Sequence, residues 1–260
     1  MLNDFKTLHV EQRDEDRVLS IQLNVPEAGN ALSARVVDEL HTVLLAAEDD
    51  PQIRVLILSG AGDNFCLGGD RGEFSSLIAA DPSGASLKSL VNKANRMCHA
   101  LRSTEKVTIA RLHGGVIGAG LGLAVLCHLR VGASDSHYRM PELGVGVPPA
   151  WGGLLPRLQH EVGAARFRHL LLTAKKFDAA LAAELSILQE VVPASDLDEA
   201  VTGLVKPLLR RDAESLRTTV QMLRSYESAT HFADVSLLDP EVLTAAVLRR
   251  ELRRQSFAVS

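Results

Sequence analysis

Twice in this chain a strand-length apolar run leads straight into a crowd of glycines, and that pairing limits the fold more than any other feature. "IRVLILSG" (residues 53–60) is apolar without alternation and runs into "AGDNFCLGGDRGEF". "VTIARL" (residues 107–112) is of the same kind and runs into "HGGVIGAGLGLAVLCH" (residues 113–128), which holds five glycines. An unbroken apolar strand is expected where a parallel sheet is covered on both faces. Parallel neighbours need crossover connections, and helical periodicity lies where those crossovers should be. "ARVVDELHTVLLAAED" follows Ser33, a residue suited to cap it, and repeats Val36, Val37, Leu40, Val43, Leu44 and Ala47 at helical spacing. Residues 85–103 read as a second helix.

The remaining chain fits the same plan. "LHVEQR" and "VLSIQLN" alternate on either side of "DEDR", a hairpin signal. "LRVGAS" (residues 129–134) reads as a short strand. From residue 164 the pattern is helical, interrupted by "ILQEVVP" (residues 187–193). Strands alternating with helices, then helices alone, predict an α/β core with a helical C-terminal part. "AADPSGAS" (residues 79–86) reads as a mobile loop, and "AGDNFCLGGDRGEF" as loop throughout.

Bulk properties narrow the function. At 46% hydrophobic and 23% charged residues, 260 residues can bury a full core. A net charge of −4 argues against nucleic acid as a partner, which would call for a basic face. There is no apolar run of membrane-spanning length and no signal-peptide pattern at the N-terminus, so a cytoplasmic protein is expected. Cys66, Cys98 and Cys127 form no metal-binding spacing. They are expected to be buried free thiols, and no metal is expected.

Three readings of the glycine-rich stretch compete. A dinucleotide cradle wants G-x-G-x-x-G, but the third glycine falls on Leu123. A plain tight turn explains one such loop better than it explains two. The third reading uses the backbone. The first N–H groups of a helix have no internal acceptor, and the helix dipole places partial positive charge there. Two such N–H groups aimed at one point can hold a developing thioester enolate oxygen. There is no G-x-S-x-G or H-E-x-x-H motif to support another chemistry.

At these residues the chain resembles the crotonase superfamily of enoyl-CoA hydratases and isomerases. "IQLNVPEAGNAL", "RVLILSGAGDNFCLGGD" and "VTIARLHGGVIGAGLGLAVLCHLRVGASDSHYRMPELGVGVPPAWGG" carry the resemblance in order and spacing. It implies an α/β spiral of ββα turns over residues 1–195 and a helical trimerising region over 196–260, assembled as a homotrimer or dimer of trimers. It implies acyl-thioester chemistry through a stabilised enolate, with coenzyme A or a carrier protein bearing the acyl group and no separate cofactor. The oxyanion donors would be the N–H groups of Gly69 and Ala119. Glu142, in "MPE", would be the general acid/base. Ala28, Leu67, Asp70, Arg71, Gly118, Gly122 and Trp151 would line the substrate path.

The departures from the family pattern are as informative. Gly122 occupies the position of the family's first catalytic carboxylate, so one of two acid/base groups is missing. That leaves an isomerase or one-glutamate hydratase, or else a binding or assembly subunit that has lost its catalysis. Trp151, the one tryptophan, stands where small residues are usual, and Ala150 replaces a glycine whose backbone helps to place water. The loop that usually carries a lysine for the CoA phosphates reads "VPEAGN". Arg71 is the nearest substitute cation, and the family's final basic helix is expected to be missing.

Overall fold

A computed structural model describes residues 5–15, 17–229 and 236–258. The chain opens with a hairpin of β1 (Leu8–Arg13) and β2 (Val18–Leu23), paired antiparallel. α1 (Ala34–Asp49) follows, and the Ser33 hydroxyl accepts from Val36 N at 3.3 Å as the sequence predicts. β3 (Val55–Gly60) is buried along its whole length.

α2 (Arg71–Ala80) is a helix where a loop was expected. Asp70 starts it, its carboxylate accepting from Glu73 N at 3.0 Å. Of residues 79–86, expected as a mobile loop, only 81–84 lie outside helix, as a tight turn from α2 into α3 (Ala85–Ser103). Asp81 organises that turn. Its two carboxylate oxygens accept from the backbone N–H groups of Ser83 and Ser86 at 3.1 and 2.9 Å.

β4 (Val107–Leu112) leads to β5 (Gly115–Ile117) and α4 (Ala119–Leu126). Then come β6 (Leu129–Ala133), β7 (His137–Arg139), α5 (Leu154–Val162), α6 (Ala164–Thr173), β8 (Phe177–Asp178), α7 (Ala179–Glu184) and β9 (Glu190–Val192). α8 (Leu197–Leu209), α9 (Ala213–Ala229) and α10 (Asp239–Ala258) complete the fold. α10 corrects one expectation: a final helix is present, and it carries Arg249, Arg250, Arg253 and Arg254.

Six strands form the main sheet in the order β1-β2-β3-β4-β6-β9, parallel except for the first pair. One face joins a core with α1, α3, α4 and α5. On the other, Val55, Ile57, Val107, Ile109 and Val131 pack with Leu197, Val201 and Val205 of α8. Both faces are therefore covered, as the unbroken apolar strands require. β5, β7 and β8 make a second, small sheet. It holds the residues after the second glycine cluster in place, which sets the geometry of the site. Among the described residues no helix is long and apolar enough to cross a membrane.

Candidate active site

Two backbone segments are stitched side by side at the glycine clusters. Cys66 N donates to Gly115 O at 3.1 Å, and Ile117 N donates to Cys66 O at 3.0 Å. On its other edge the first loop is tied to the segment before α1. Leu32 N donates to Gly68 O at 2.8 Å and Asp70 N to Leu32 O at 3.2 Å. In such a parallel bridge Leu32 uses both its own polar groups, whereas Gly69 is spanned by its neighbours. The Gly69 N–H is thus left without an acceptor among the described residues. Gly120 permits the close approach of the two segments, because a Cβ there would lie 2.3 Å from Cys66 O.

The second free N–H comes from the start of α4. Gly118 precedes the helix at φ 54°, ψ −120°, a conformation that only glycine adopts readily. Its own N–H goes to Arg139 O at 2.9 Å. Ala119 is then the first helical residue, and its N–H has no acceptor among the described residues. The two segments come close here: a Cβ on Gly68 would sit 3.6 Å from Ala119 N. Gly69 and Ala119 both line one cavity of about 410 Å³.

Glu142 enters the same cavity from a single helical turn, Glu142–Val145, after β7. A Cβ on Gly118 would meet its Oε1 at 3.0 Å, so the carboxylate lies directly against the start of α4. Its Oε2 is buried and has no hydrogen-bond partner among the described residues. Burial raises the Glu142 pKa above the ordinary carboxylate range. A half-buried carboxylate with a raised pKa and an unused oxygen can take a proton and return it. It is the one carboxylate among the described residues that line the cavity.

The rest of the lining is mostly apolar. Phe74, Ile117, Val147, Pro148, Pro149, Ala150, Trp151 and, from α10, Leu243 contribute. Arg139, Lys176 and Arg71 add cations, and His137 adds an imidazole. Burial lowers the His137 pKa, with Lys176 pushing the same way. The Ala150 N–H is spent on Pro148 O at 2.8 Å.

Of the residues singled out from sequence, Glu142, Gly69, Ala119, Leu67, Arg71, Gly118 and Trp151 line this cavity. Ala28, Asp70 and Gly122 do not. Ala28 ends a short turn, Pro26–Ala28, and the next carbonyl, Gly29 O, accepts from Leu67 N at 3.0 Å. Asp70 is the cap of α2. Gly122 lies behind Trp151, whose Cδ1 would be 3.4 Å from a Cβ at that position.

Sequence reasoning missed Asn30. This fully buried side chain donates to Ala61 O and Asn64 O, each at 2.8 Å, and accepts from Val25 N at 2.9 Å. It ties the first glycine loop to the segment before α1. The signal was present in "AGNAL", a polar residue inside an otherwise apolar approach to a helix. Cys66, also in the first glycine loop, is fully buried, and burial pushes its thiol up to about 12, so it is a packed side chain and not a nucleophile.

The enoyl-CoA hydratase/isomerase family pattern matches residues 13–247. The chain belongs to that family. It is 31% identical to a probable enoyl-CoA hydratase of Mycobacterium tuberculosis, over 86% of this chain and 84% of that one. It is 30% identical to the peroxisomal Delta(3,5)-Delta(2,4)-dienoyl-CoA isomerase of Arabidopsis thaliana, over 97% and 98% of the two chains. Its fold matches that of an enoyl-CoA hydratase/isomerase from Mycobacterium paratuberculosis with a TM-score of 0.85, over 95% and 96% of the chains, at 19% identity. The protein is thus an enzyme of the hydratase/isomerase family with the crotonase fold. Hydratases and isomerases both stand among its relatives, so the choice of reaction turns on the cavity of this chain.

Proposed function

We propose that the protein moves a double bond in an enoyl thioester by proton transfer, with Glu142 as the single acid/base. The thioester oxygen sits between the N–H groups of Gly69 and Ala119. Glu142 removes a proton from the α-carbon of a 3-enoyl thioester, and the electron pair enters a dienolate whose oxygen those N–H groups hold. The carboxylic acid so formed gives the same proton to the γ-carbon, leaving the 2-enoyl thioester. One proton leaves and one returns, so no cofactor is consumed. Each oxyanion donor in such a site is worth about 10²–10³ in rate, and a general base about 10²–10⁴.

The observation that carries this reading is the lone carboxylate. Water addition is helped by a second group to take the water's proton. The wall where α4 could present one is covered by Trp151, and the Ala150 N–H is already bonded. A non-catalytic assembly subunit would have no use for a desolvated carboxylate beside two free N–H groups.

Beside the cavity, and sharing Arg71 and Val145 with it, lies a groove formed with Gly72, Ser75, Gly144, Arg250 and Arg254. Glu251 pairs with Arg250 at 2.7 Å and with Arg254 at 3.5 Å, while no ion pair involves Arg71 among the described residues. A cationic groove at the cavity suits the phosphates of coenzyme A or the phosphopantetheine of a carrier protein.

The deciding experiment is Glu142→Gln. Isomerisation of a 3-enoyl-CoA should fall by about a thousandfold while a 2-enoyl-CoA still binds. Turnover within tenfold of the parent would sink the reading. Comparing the same acyl group on CoA and on a carrier protein, by KM, assigns the carrier.

A further inference from the structure

Gly122 sits inside α4, where glycine weakens a helix. The neighbours of the missing side chain explain it. A Cβ at 122 would lie 3.4 Å from Trp151 Cδ1 and 3.6 Å from Leu154 Cδ2. A methyl group just fits there, but a longer side chain runs into the indole. Gly122 itself does not reach the cavity, whereas Trp151 lines it. The indole therefore stands between the middle of α4 and the reacting atoms.

The ring is held firmly in that place. Trp151 is only 7% exposed. Its Nε1 is buried and directed at the Cys98 thiol of α3. A thiol sulfur is a weak acceptor, so packing holds this ring more than hydrogen bonding does. The next residue reinforces it. Gly152 N donates to Asn95 Oδ1 at 3.2 Å, and a Cβ at Gly152 would lie 2.4 Å from Cys98 Sγ. The indole thus faces α4 through Cδ1 and Cys98 of α3 through Nε1, and Trp151 also lines the cavity.

We propose that Trp151 is the residue that determines reaction specificity: it fills the space a second acid/base group on α4 would need and so restricts the site to one-carboxylate proton transfer. This rests on Glu142 being the acid/base. Hydration would break the α–β double bond of a 2-enoyl thioester. The water oxygen would bond to the β-carbon, one water proton would pass to a base, and Glu142 would supply a proton to the α-carbon. An apolar ring at this wall offers that water no base and no hydrogen-bond acceptor.

Four proteins test the pairing: the parent, Gly122→Glu, Trp151→Ala, and the double variant. Each is checked for folding by circular dichroism and elution volume. Each is assayed for hydration of a 2-enoyl-CoA and isomerisation of a 3-enoyl-CoA. The double variant should hydrate at least about tenfold faster than the parent or either single variant. Gly122→Glu alone should gain no hydration. Because Trp151 is the one tryptophan, its emission should shift to the red in Gly122→Glu as the new side chain displaces it; failure of that variant to fold, with rescue by Trp151→Ala, reports the same clash. The proposal is overturned if Gly122→Glu hydrates as fast as the double variant with unchanged emission. It is equally overturned if the double variant gains no hydration, or does not fold once the indole has been removed. Glu142→Gln in the parent is run alongside: retained isomerisation there defeats the acid/base reading, and leaves the emission result to judge the steric claim alone.

Discussion

The two ends of α4 are treated in opposite ways. At its start the chain leaves polar groups unsatisfied: Ala119 N–H has no acceptor among the described residues, and a partly unpartnered carboxylate, Glu142, is pressed against Gly118. At its finish the described polar groups are paired. Arg130 donates to Val125 O at 3.1 Å, Cys127 O at 3.0 Å and Ile187 O at 2.6 Å, and pairs with Glu161 of α5 at 2.7 Å. Arg157 reaches the other oxygen of Glu161 at 2.9 Å. His128 accepts from Thr108 N at 3.1 Å. The helix dipole favours both arrangements, with negative charge welcome at the start and positive charge at the end. One end leaves polar groups open to the cavity and the other is sealed. Changes at the first should cost rate, and changes at the second should cost stability.

The largest effect should come from Glu142. Beyond the loss of turnover in Glu142→Gln, the melting temperature should stay at or above that of the parent, because the variant removes a desolvated charge. In the parent, kcat/KM should fall as pH drops through the Glu142 pKa. The base works deprotonated, and burial raises that pKa, so the midpoint should lie above the ordinary carboxylate range. A midpoint within that range would show a solvated carboxylate.

Next is the sealed end. Arg130→Ala removes one partner of a buried ion pair and strands several carbonyls, at a cost of about 3–5 kcal/mol in denaturant unfolding. The folded fraction should keep its turnover within a few-fold. Of similar size is the pH dependence of stability from His128. Burial, with help from Arg157 and Arg130, lowers its pKa to about 4. The unfolded chain binds this proton first, from about pH 6.5. The contribution, up to about 3 kcal/mol, is therefore present above that pH and lost as pH falls toward about 4. His128→Gln should flatten the curve across that window; an unchanged curve would contradict a neutral buried ring.

Smaller effects sharpen the contrast. Gly118→Ala forces a side chain into φ 54° and against Glu142 Oε1. It should tilt the Ala119 N–H and lower turnover by about a hundredfold. The smallest change is Gly122→Ala, in the middle of the helix. The methyl group meets only ordinary contacts, and the helix gains propensity, so stability should rise by up to about 1 kcal/mol. Destabilisation instead would mean that the Trp151 contact is tighter than the geometry indicates.

What could be read from sequence was what local pattern encodes. α1, α3 and β4 follow from apolar spacing within a single segment. That Gly69, Ala119 and Glu142 line one cavity was legible from the glycine clusters and the family resemblance. α2 escaped because Gly72 and the charges of "DRGEF" look like a loop until Asp70 is seen capping it. β5, β7 and β8 escaped because strands of three, three and two residues have no period of their own. Leu243 could not be placed at the cavity because no local signal joins α10 to residues a hundred positions earlier. The resemblance singles out Gly122 as the family's carboxylate position, but not as a place that Trp151 covers, since only packing brings the two together.

In the proposed reaction one carboxylate carries one proton from carbon to carbon in a site without an activated water. A 3-enoyl-CoA deuterated at the α-carbon tests it directly, with the product examined by mass spectrometry and NMR after a single turnover. Deuterium should appear at the γ-carbon of the 2-enoyl product well above the level expected from exchange with solvent. A γ-carbon labelled only from solvent would contradict a single enclosed base at Glu142.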